Sequence, residues 1–494
     1  MSDTKTPEQW FLEKYPYQNK PYLHQQAYLE RFWRKPGTGL FADMGTGKTY
    51  MLINNAAMLY DRGRINAMLI VAPKGVYANW PNIEIPKHMP THINYHVSTW
   101  RASPTKKQQQ EHEKMLADVD SFRIFVMNIE SFSSPKGLAA ARLFLRVTTA
   151  YMAIDESTTI KNPKATRTKN IIAAGKDAHV RRIATGSPIT KNPMDVYSQC
   201  EFLGPQYLGF TSFYAFQQRY GILIKRKKET PKGILTYPQL VGYRRLDELR
   251  EKLKSFTFRV TKEQCLDLPP KVFTTRDVEL SPEQKKMYKS METSAHAMHE
   301  GRICSTTNGL TKRLRMHQIV CGFLEMDDGE LLELPNSRLE ELLATVEEVS
   351  GKVIIWANYR HNIRAIYEAL CKEYGEESAC TYYGDTDTAD RASAVSRFQD
   401  PEDSLRFFIA NAQTGAYGLT LTQAQTVIYY SNNFDLDKRW QSEDRAHRIG
   451  QTGTVTYVDL VCRGTIDEDV FESLRNKIDV ATEVHGEARK DWVI

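Results

Sequence analysis

Short runs of β-branched and aromatic residues recur along the chain, each followed by an apolar pattern of helical period, which predicts alternating strands and helices. In the first half the runs fall at 68–72, 123–127, 150–154 and 181–184. A second series starts at 352–356 and continues through 380–383, 406–410, 426–430 and 455–461. Strands that alternate with helices pack as parallel sheets covered by helices, so the expected fold is α/β in two tandem lobes. From about 194 to 335 strand signals are sparse while 246–253 and 282–299 read as helical, which predicts helical protrusions between the lobes. Leu268-Pro269-Pro270-Lys271 breaks any helix, because proline lacks the N–H donor and pushes its predecessor out of the helical region. The boundary is placed just after it. Lobe 1 spans 1–275 with a helical protrusion at about 194–265; lobe 2 spans 276–494 with a helical lead-in at about 280–335. Near the end, Thr465-Ile466-Asp467-Glu468 has the form of a capping box, and Val470, Leu474 and Ile478 then predict a helix closing the second lobe.

Composition narrows the class only modestly. Hydrophobic residues make up 41% and charged residues 26% of 494, ordinary for a globular protein with two large lobes. No apolar run approaches the roughly 20 residues that span a bilayer, so no membrane partner is expected. Met1-Ser2-Asp3-Thr4-Lys5-Thr6-Pro7 does not read as a secretory signal, and the expected location is cytoplasmic rather than secreted, with a nucleus left open. Cys200, Cys265, Cys304, Cys321, Cys371, Cys380 and Cys462 form no C-x-x-C pair, which argues against a disulfide framework and a structural zinc site. Basic residues (66) exceed acidic ones (60), for a net charge of +6. That balance is compatible with nucleic acid without establishing it.

The chemistry lies in three segments. Ala42-Asp43-Met44-Gly45-Thr46-Gly47-Lys48-Thr49 follows a short apolar run and opens a helix whose apolar face continues through Leu52, Ile53 and Ala56. Such a turn directs backbone N–H groups at phosphate, Lys48 pairs with the β and γ phosphates, and Thr49 offers a hydroxyl to Mg²⁺. Ala42 stands where the G-x-x-x-x-G-K-[ST] pattern has glycine. Asp155-Glu156 ends the apolar run 150–154, where ligands sit in open α/β sheets. Asp155 can hold Mg²⁺ and Glu156 can take a proton from the attacking water; read alone, the pair also fits the acidic first turn of a helix. Arg445 and Arg448 are three apart, so a helix would place them on one face, as charge stabilisers for a γ-phosphate or as an ordinary solvated pair. Lys225, Arg226, Lys227 and Lys228, with Lys232, Arg244 and Arg245, form the densest basic stretch, suited to phosphate contact or to a solvated surface loop.

In their order these segments resemble the Swi/Snf-type ATPases of helicase superfamily two, from Gln25 to about Ile466. The most specific piece is Gln441 to Gln451, which resembles Q-x-x-D-R-x-H-R-I-G-Q at every fixed position. Gln25, preferred over Gln26, is similar to the adenine-reading glutamine. Leu69 to Pro73 with Asn79-Trp80 resembles a DNA-track segment, Thr185-Gly186-Ser187-Pro188 resembles the T-G-T-P coupling motif, Leu310 to Ile319 resembles an L-x-x-L-R segment, and Thr414 to Thr422 resembles G-x-G-L-N-L-T. Ser157-Thr158, Ser187 and Thr420 depart from the family pattern. The resemblance implies two RecA-like lobes; ATP contacts at Gln25, Met44, Gly45, Thr46, Gly47, Lys48, Thr49, Gly418 and Gln441; Mg²⁺ at Thr49 and Asp155; catalytic roles for Glu156, Arg445 and Arg448; coupling through Thr185, Gly186 and Ser187; and DNA contacts at Lys225 to Lys228. It further implies a compact phage- or bacterial-type ATP-hydrolysing translocase on double-stranded DNA. The alternatives are a strand-separating DNA or RNA helicase, or an ATP-gated clamp with protein partners in a replication, repair, recombination or restriction complex.

Overall fold

The computed structural model describes residues 11–12, 14–230, 233–299, 302–306, 308–384, 386–415 and 419–485. They fall into two compact units, residues up to Leu266 together with 480–485, and residues 267–479.

In the first unit the sheet is built from β1 (Gly37–Ala42), β2 (Ala67–Ala72), β3 (Tyr95–Thr99), β4 (Phe122–Asn128), β5 (Ala150–Asp155) and β6 (Val180–Thr185). A hairpin of β7 (Gly221–Thr230) and β8 (Gly233–Tyr243) then precedes the last sheet strand, β9 (Thr257–Val260). The seven sheet strands are ordered β3-β4-β2-β5-β6-β1-β9 and all pair in parallel. Every residue of β1 and β2 is buried, as expected of central parallel strands covered by helices on both faces. The helix Lys48–Asp61 supplies Met51, Leu52, Ile53 and Ala56 to one core, against Leu40, Met68, Ile70 and Val126.

The second unit holds β10 (Lys271–Asp277), two short hairpins of β11 (His296–His299) with β12 (Arg302–Ser305) and β13 (Phe323–Glu325) with β14 (Leu331–Glu333), then β15 (Lys352–Trp356), β16 (Ala379–Tyr382), β17 (Phe407–Ala410), β18 (Ala424–Tyr429) and β19 (Val455–Val461). Its sheet is six-stranded and parallel, ordered β10-β19-β18-β15-β17-β16. Alternate residues of one strand feed separate cores: Ile354 and Trp356 pack with Phe408, Val427 and Tyr457, while Val353 and Ile355 pack with Phe407, Ile409 and Ile428. Both units are thus α/β, each a parallel sheet flanked by helices. No helix among the described residues is long and apolar enough to cross a membrane.

Three expectations need correction. The boundary expected at 275/276 lies at 266/267, because β10 pairs with β19 along its length and so belongs to the second sheet. The protrusion at about 194–265 is only partly helical: helices Val196–Leu203, Phe213–Tyr220 and Leu246–Lys254 flank the long β7–β8 hairpin. In the lead-in, the helix Pro282–Ser294 stops at Ala295, which adopts a left-handed φ of 58°, and His296–His299 turns into strand.

The closing helix Ile466–His485 buries Val470, Leu474 and Ile478 against Leu436 and Val461. Its Asp467 turns inward and ion-pairs with Arg338, which is 1% exposed and also donates to the Tyr430 and Leu460 carbonyls. His317 lies 3.7 Å from the same carboxylate, and burial pushes its imidazole down to about 4. The Asp467 charge therefore answers one buried cation. Asp467→Ala leaves Arg338 buried without it, and we expect a loss of about 3–5 kcal/mol from unfolding of the second unit, read as a lower urea midpoint.

Candidate nucleotide site

β1 ends at Ala42 and the chain turns through Gly45 (φ 80°) and Gly47 (φ 85°), a backbone that L side chains disfavour. A Cβ at Gly47 would also stand 2.2 Å from Gln25 Nε2. Met44 lies within this turn, and the helix starting at Lys48 presents its unsatisfied N–H groups to it, the geometry that receives phosphate. The loop is self-tied: Thr46 Oγ1 donates to Asp43 O (2.8 Å), and Lys48 Nζ donates to Ala42 O (3.0 Å) and Asp43 O (3.3 Å). Thr49 follows in the first helical turn. Gln25, nearly buried, accepts from Tyr22 N and donates to Thr46 O (3.2 Å), an oxygen that His24 Nε2 also reaches (2.7 Å). Gln26 instead bonds Glu30 on the surface.

Sheet order decides what meets this loop. β6 lies between β1 and β5, so the turn after β6 stands between the loop after β1 and the acidic pair after β5. Glu156 takes a left-handed φ of 49°, and its Oε2 accepts from Thr185 Oγ1 (3.3 Å), which in turn accepts from Ser187 N (3.2 Å). Gly186 packs on the loop closely enough that a Cβ would stand 3.3 Å from Met44 N. Asp155 Oδ2 accepts from the buried indole of Trp80 (3.2 Å). Burial, and after it the Glu156 charge, hold the Asp155 carboxyl above the ordinary carboxylate range, with Lys48 and then Trp80 acting against them. Adjacent carboxylates with one lysine opposite them suit a hard divalent cation. No three His, Cys, Asp or Glu side chains among the described residues could hold a metal alone, and Mg²⁺ needs no such cage, since it keeps waters and substrate phosphates as ligands.

In the second unit the helix Leu436–Glu443 ends before Arg445, so the expected shared helical face is not what aligns the arginines. A carbonyl does so instead: Arg445 Nη1 and Arg448 Nη1 both donate to Leu419 O at 3.0 Å. Gln451 Nε2 ties the same turn to Thr422 O (3.0 Å) and Ala424 O (2.9 Å). Upstream, Arg439 is locked between Asp459 (2.5 and 2.9 Å), Glu443 (2.8 Å) and Asn432 (2.7 Å), over the Tyr429 ring. Gln441 is 1% exposed, and neither its amide nitrogen nor its amide oxygen has a hydrogen-bond partner among the described residues. An unsatisfied buried amide is costly, typically ~1–3 kcal/mol, which marks it as a group suited to a ligand. Gly418 lies outside the described residues. Lys225, Arg226, Lys227 and Lys228 stand on β7, in the separate two-stranded sheet and not in a loop; Lys232 lies outside the described residues.

The SNF2-related domain family matches residues 10–324, and the helicase conserved C-terminal domain matches residues 335–450. The chain belongs to the SNF2-related family. Among its relatives, a Bacillus subtilis protein called a putative ATP-dependent helicase/translocase, YwqA, is 26% identical over 93% of this chain and 48% of its own length. An uncharacterized ATP-dependent helicase of Mycoplasma genitalium, MG018, is 26% identical over 89% of this chain and 39% of its own. The yeast nuclear protein STH1/NPS1 is 24% identical over 90% and 33%. This SNF2-related chain thus spans less than half the length of these relatives. The Sulfolobus solfataricus SWI2/SNF2 ATPase core in complex with dsDNA aligns over 93% of this chain and 91% of its own at 22% identity, with a TM-score of 0.42.

Sequence reasoning missed two groups of this SNF2-related site. Arg259 on β9 donates to Asp43 Oδ1 (2.8 Å) and to the Phe41 and Gly186 carbonyls (3.3 Å each), bracing the loop after β1 and the turn after β6 together. Trp80 was read as part of a DNA-track segment and proves to bond the acidic pair. Neither link has a local signal, since each joins positions tens to hundreds of residues apart.

Proposed function

We propose that the chain is a DNA-dependent ATPase that uses ATP hydrolysis to move along double-stranded DNA. The observation that carries this reading is the convergence of Lys48, Asp155, Glu156 and Thr185 at the carboxyl ends of three neighbouring strands, in a chain of the SNF2-related family. Lys48 and the Gly45–Gly47 turn bind the phosphates, while Gln25 sits beside the turn as the adenine-side contact. Thr49 and Asp155 would hold Mg²⁺, which neutralises charge on the β and γ oxygens. Glu156 accepts the proton of the attacking water. Its bond to Thr185 makes the Thr185-Gly186-Ser187 turn a sensor of that carboxylate, the physical basis of coupling. Arg445 and Arg448 stabilise charge on the γ-phosphate, and Gln441 is an ATP contact.

ATP turnover measured without polymer and with duplex DNA, single-stranded DNA and RNA, beside a strand-displacement assay, tests the reading. Duplex stimulation without strand separation is expected. Absence of stimulation by any polymer rejects it.

Trp80 gives a finer test. Trp80→Phe keeps the ring and removes one hydrogen bond to a carboxylate, an interaction of about 1.5–3 kcal/mol. We expect turnover about tenfold lower, with ATP affinity in EDTA unchanged, measured by steady-state kinetics and equilibrium nucleotide binding.

A further inference from the structure

The β7–β8 hairpin concentrates the chain's positive charge. Between Gly221 and Tyr243, five residues are basic (Lys225, Arg226, Lys227, Lys228, Lys232) and only Glu229 is acidic, so this ribbon carries +4 of the chain's net +6. Its register sets Ile224 beside Gln239, Arg226 beside Tyr237 and Lys228 beside Leu235 on one face. Lys225 beside Pro238, Lys227 beside Thr236 and Glu229 beside Ile234 make the other. Arg226 is steadied by a bond from Nε to Gln239 Oε1 (3.0 Å). Toward the distal end Ile234 is 66% exposed and Leu235 55%. The foot is held firmly: Arg244 donates to the Gln218 carbonyl, and Arg219 and Tyr220 engage Glu248. A two-stranded ribbon is marginal in water by itself, and like charges beside bare aliphatics make it more so unless a polyanion covers it.

Resting on the duplex-DNA reading above, we propose that the ribbon lies in a groove of the duplex, with Lys225, Arg226 and Lys227 on phosphates and Ile234 and Leu235 against sugars and base edges. A two-stranded ribbon fits the major groove. Ten residues at about 3.3 Å each reach roughly 33 Å, close to one turn of B-DNA. With Arg226 tied to Gln239 and placed on phosphate, the grip follows shape and charge along any sequence.

The test is equilibrium binding of the full chain to a labelled 30-base-pair duplex, at several salt concentrations, by fluorescence anisotropy. Lys225→Gln/Arg226→Gln/Lys227→Gln is expected to weaken binding at least tenfold at low salt, and to flatten the salt slope by roughly 0.9 per lost phosphate contact. Ile234→Ser/Leu235→Ser is expected to weaken it several-fold with the slope unchanged. Thermal melting and nucleotide binding check that both variants fold. Identical slopes for wild type and the glutamine variant overturn the proposal. So do unaltered DNA isotherms accompanied by a changed sedimentation coefficient, which make the ribbon a protein contact, and strand displacement by the wild type that the serine variant loses, which makes it a separating pin. Failure of the wild type to bind any nucleic acid is a different result, and defeats the duplex reading itself.

Discussion

Lys48→Ala is expected to abolish both tight ATP binding and turnover, whereas Glu156→Gln is expected to abolish turnover and leave ATP bound. The contrast follows from where each charge sits. The Lys48 ammonium lies in the cup of the loop, within hydrogen-bond reach of Ala42 O and Asp43 O, where it meets whatever phosphate the turn receives. Removing it deletes the loop's own cation and weakens ground state and transition state together, which lowers affinity as well as rate. Glu156 adds nothing to phosphate attraction, since a carboxylate beside phosphate repels it. Its amide replacement keeps the size and the capacity to accept from Thr185 Oγ1 (3.3 Å) but cannot take a proton from water. Isothermal titration with ATP and a coupled turnover assay separate the two outcomes. Tight binding by Lys48→Ala contradicts its phosphate role, and normal turnover by Glu156→Gln removes Glu156 as the base.

The parts legible in the sequence were those whose physics is local. Strands such as 68–72 and 352–356 announced themselves because a parallel strand buried on both faces is a continuous apolar run. The loop at 42–49 was legible because a glycine-rich turn opening a helix needs residues at fixed spacing. β7 and β8 were not, because both faces of the ribbon meet water and its alternation of Ile, Lys, Arg and Thr carries no apolar period to detect. β10 followed the proline pair as expected of a boundary, but the sequence contains nothing that tells an edge strand which sheet to join. Pairing with β19 settles it. Arg259 and Trp80 belong to the same class: the first reaches Asp43 across 216 positions and the second reaches Asp155 across 75. Contacts of that range are products of the sheet order β2-β5-β6-β1-β9, visible only once the fold exists.

Arg445→Ala and Arg448→Ala are each expected to lower ATP turnover by on the order of 10³ to 10⁵, the scale of arginine fingers, with ATP affinity nearly unchanged because phosphate binding is assigned to the Lys48 turn. Both guanidinium groups donate to one neutral carbonyl, Leu419 O, at 3.0 Å. A neutral carbonyl shared by two cations is a weaker partner than a phosphate oxygen, which carries the opposite charge and can accept from the planar guanidinium fork bidentately. Exchange of that carbonyl for a γ-phosphate is therefore favoured for either arginine. The surrounding clamp keeps the segment in place while the arginines change partner: Arg439 is fixed by Asp459, Glu443 and Asn432, and Gln451 by the Thr422 and Ala424 carbonyls. Lysine at either position keeps the charge but loses the planar fork, so Arg445→Lys and Arg448→Lys are expected to recover little of the rate. Turnover within tenfold of wild type in both alanine variants rejects them as fingers. Loss of ATP affinity equal to the loss of rate would instead make them ordinary binding residues. A fall in turnover at unchanged affinity is the signature of charge stabilised only as the γ-phosphate departs.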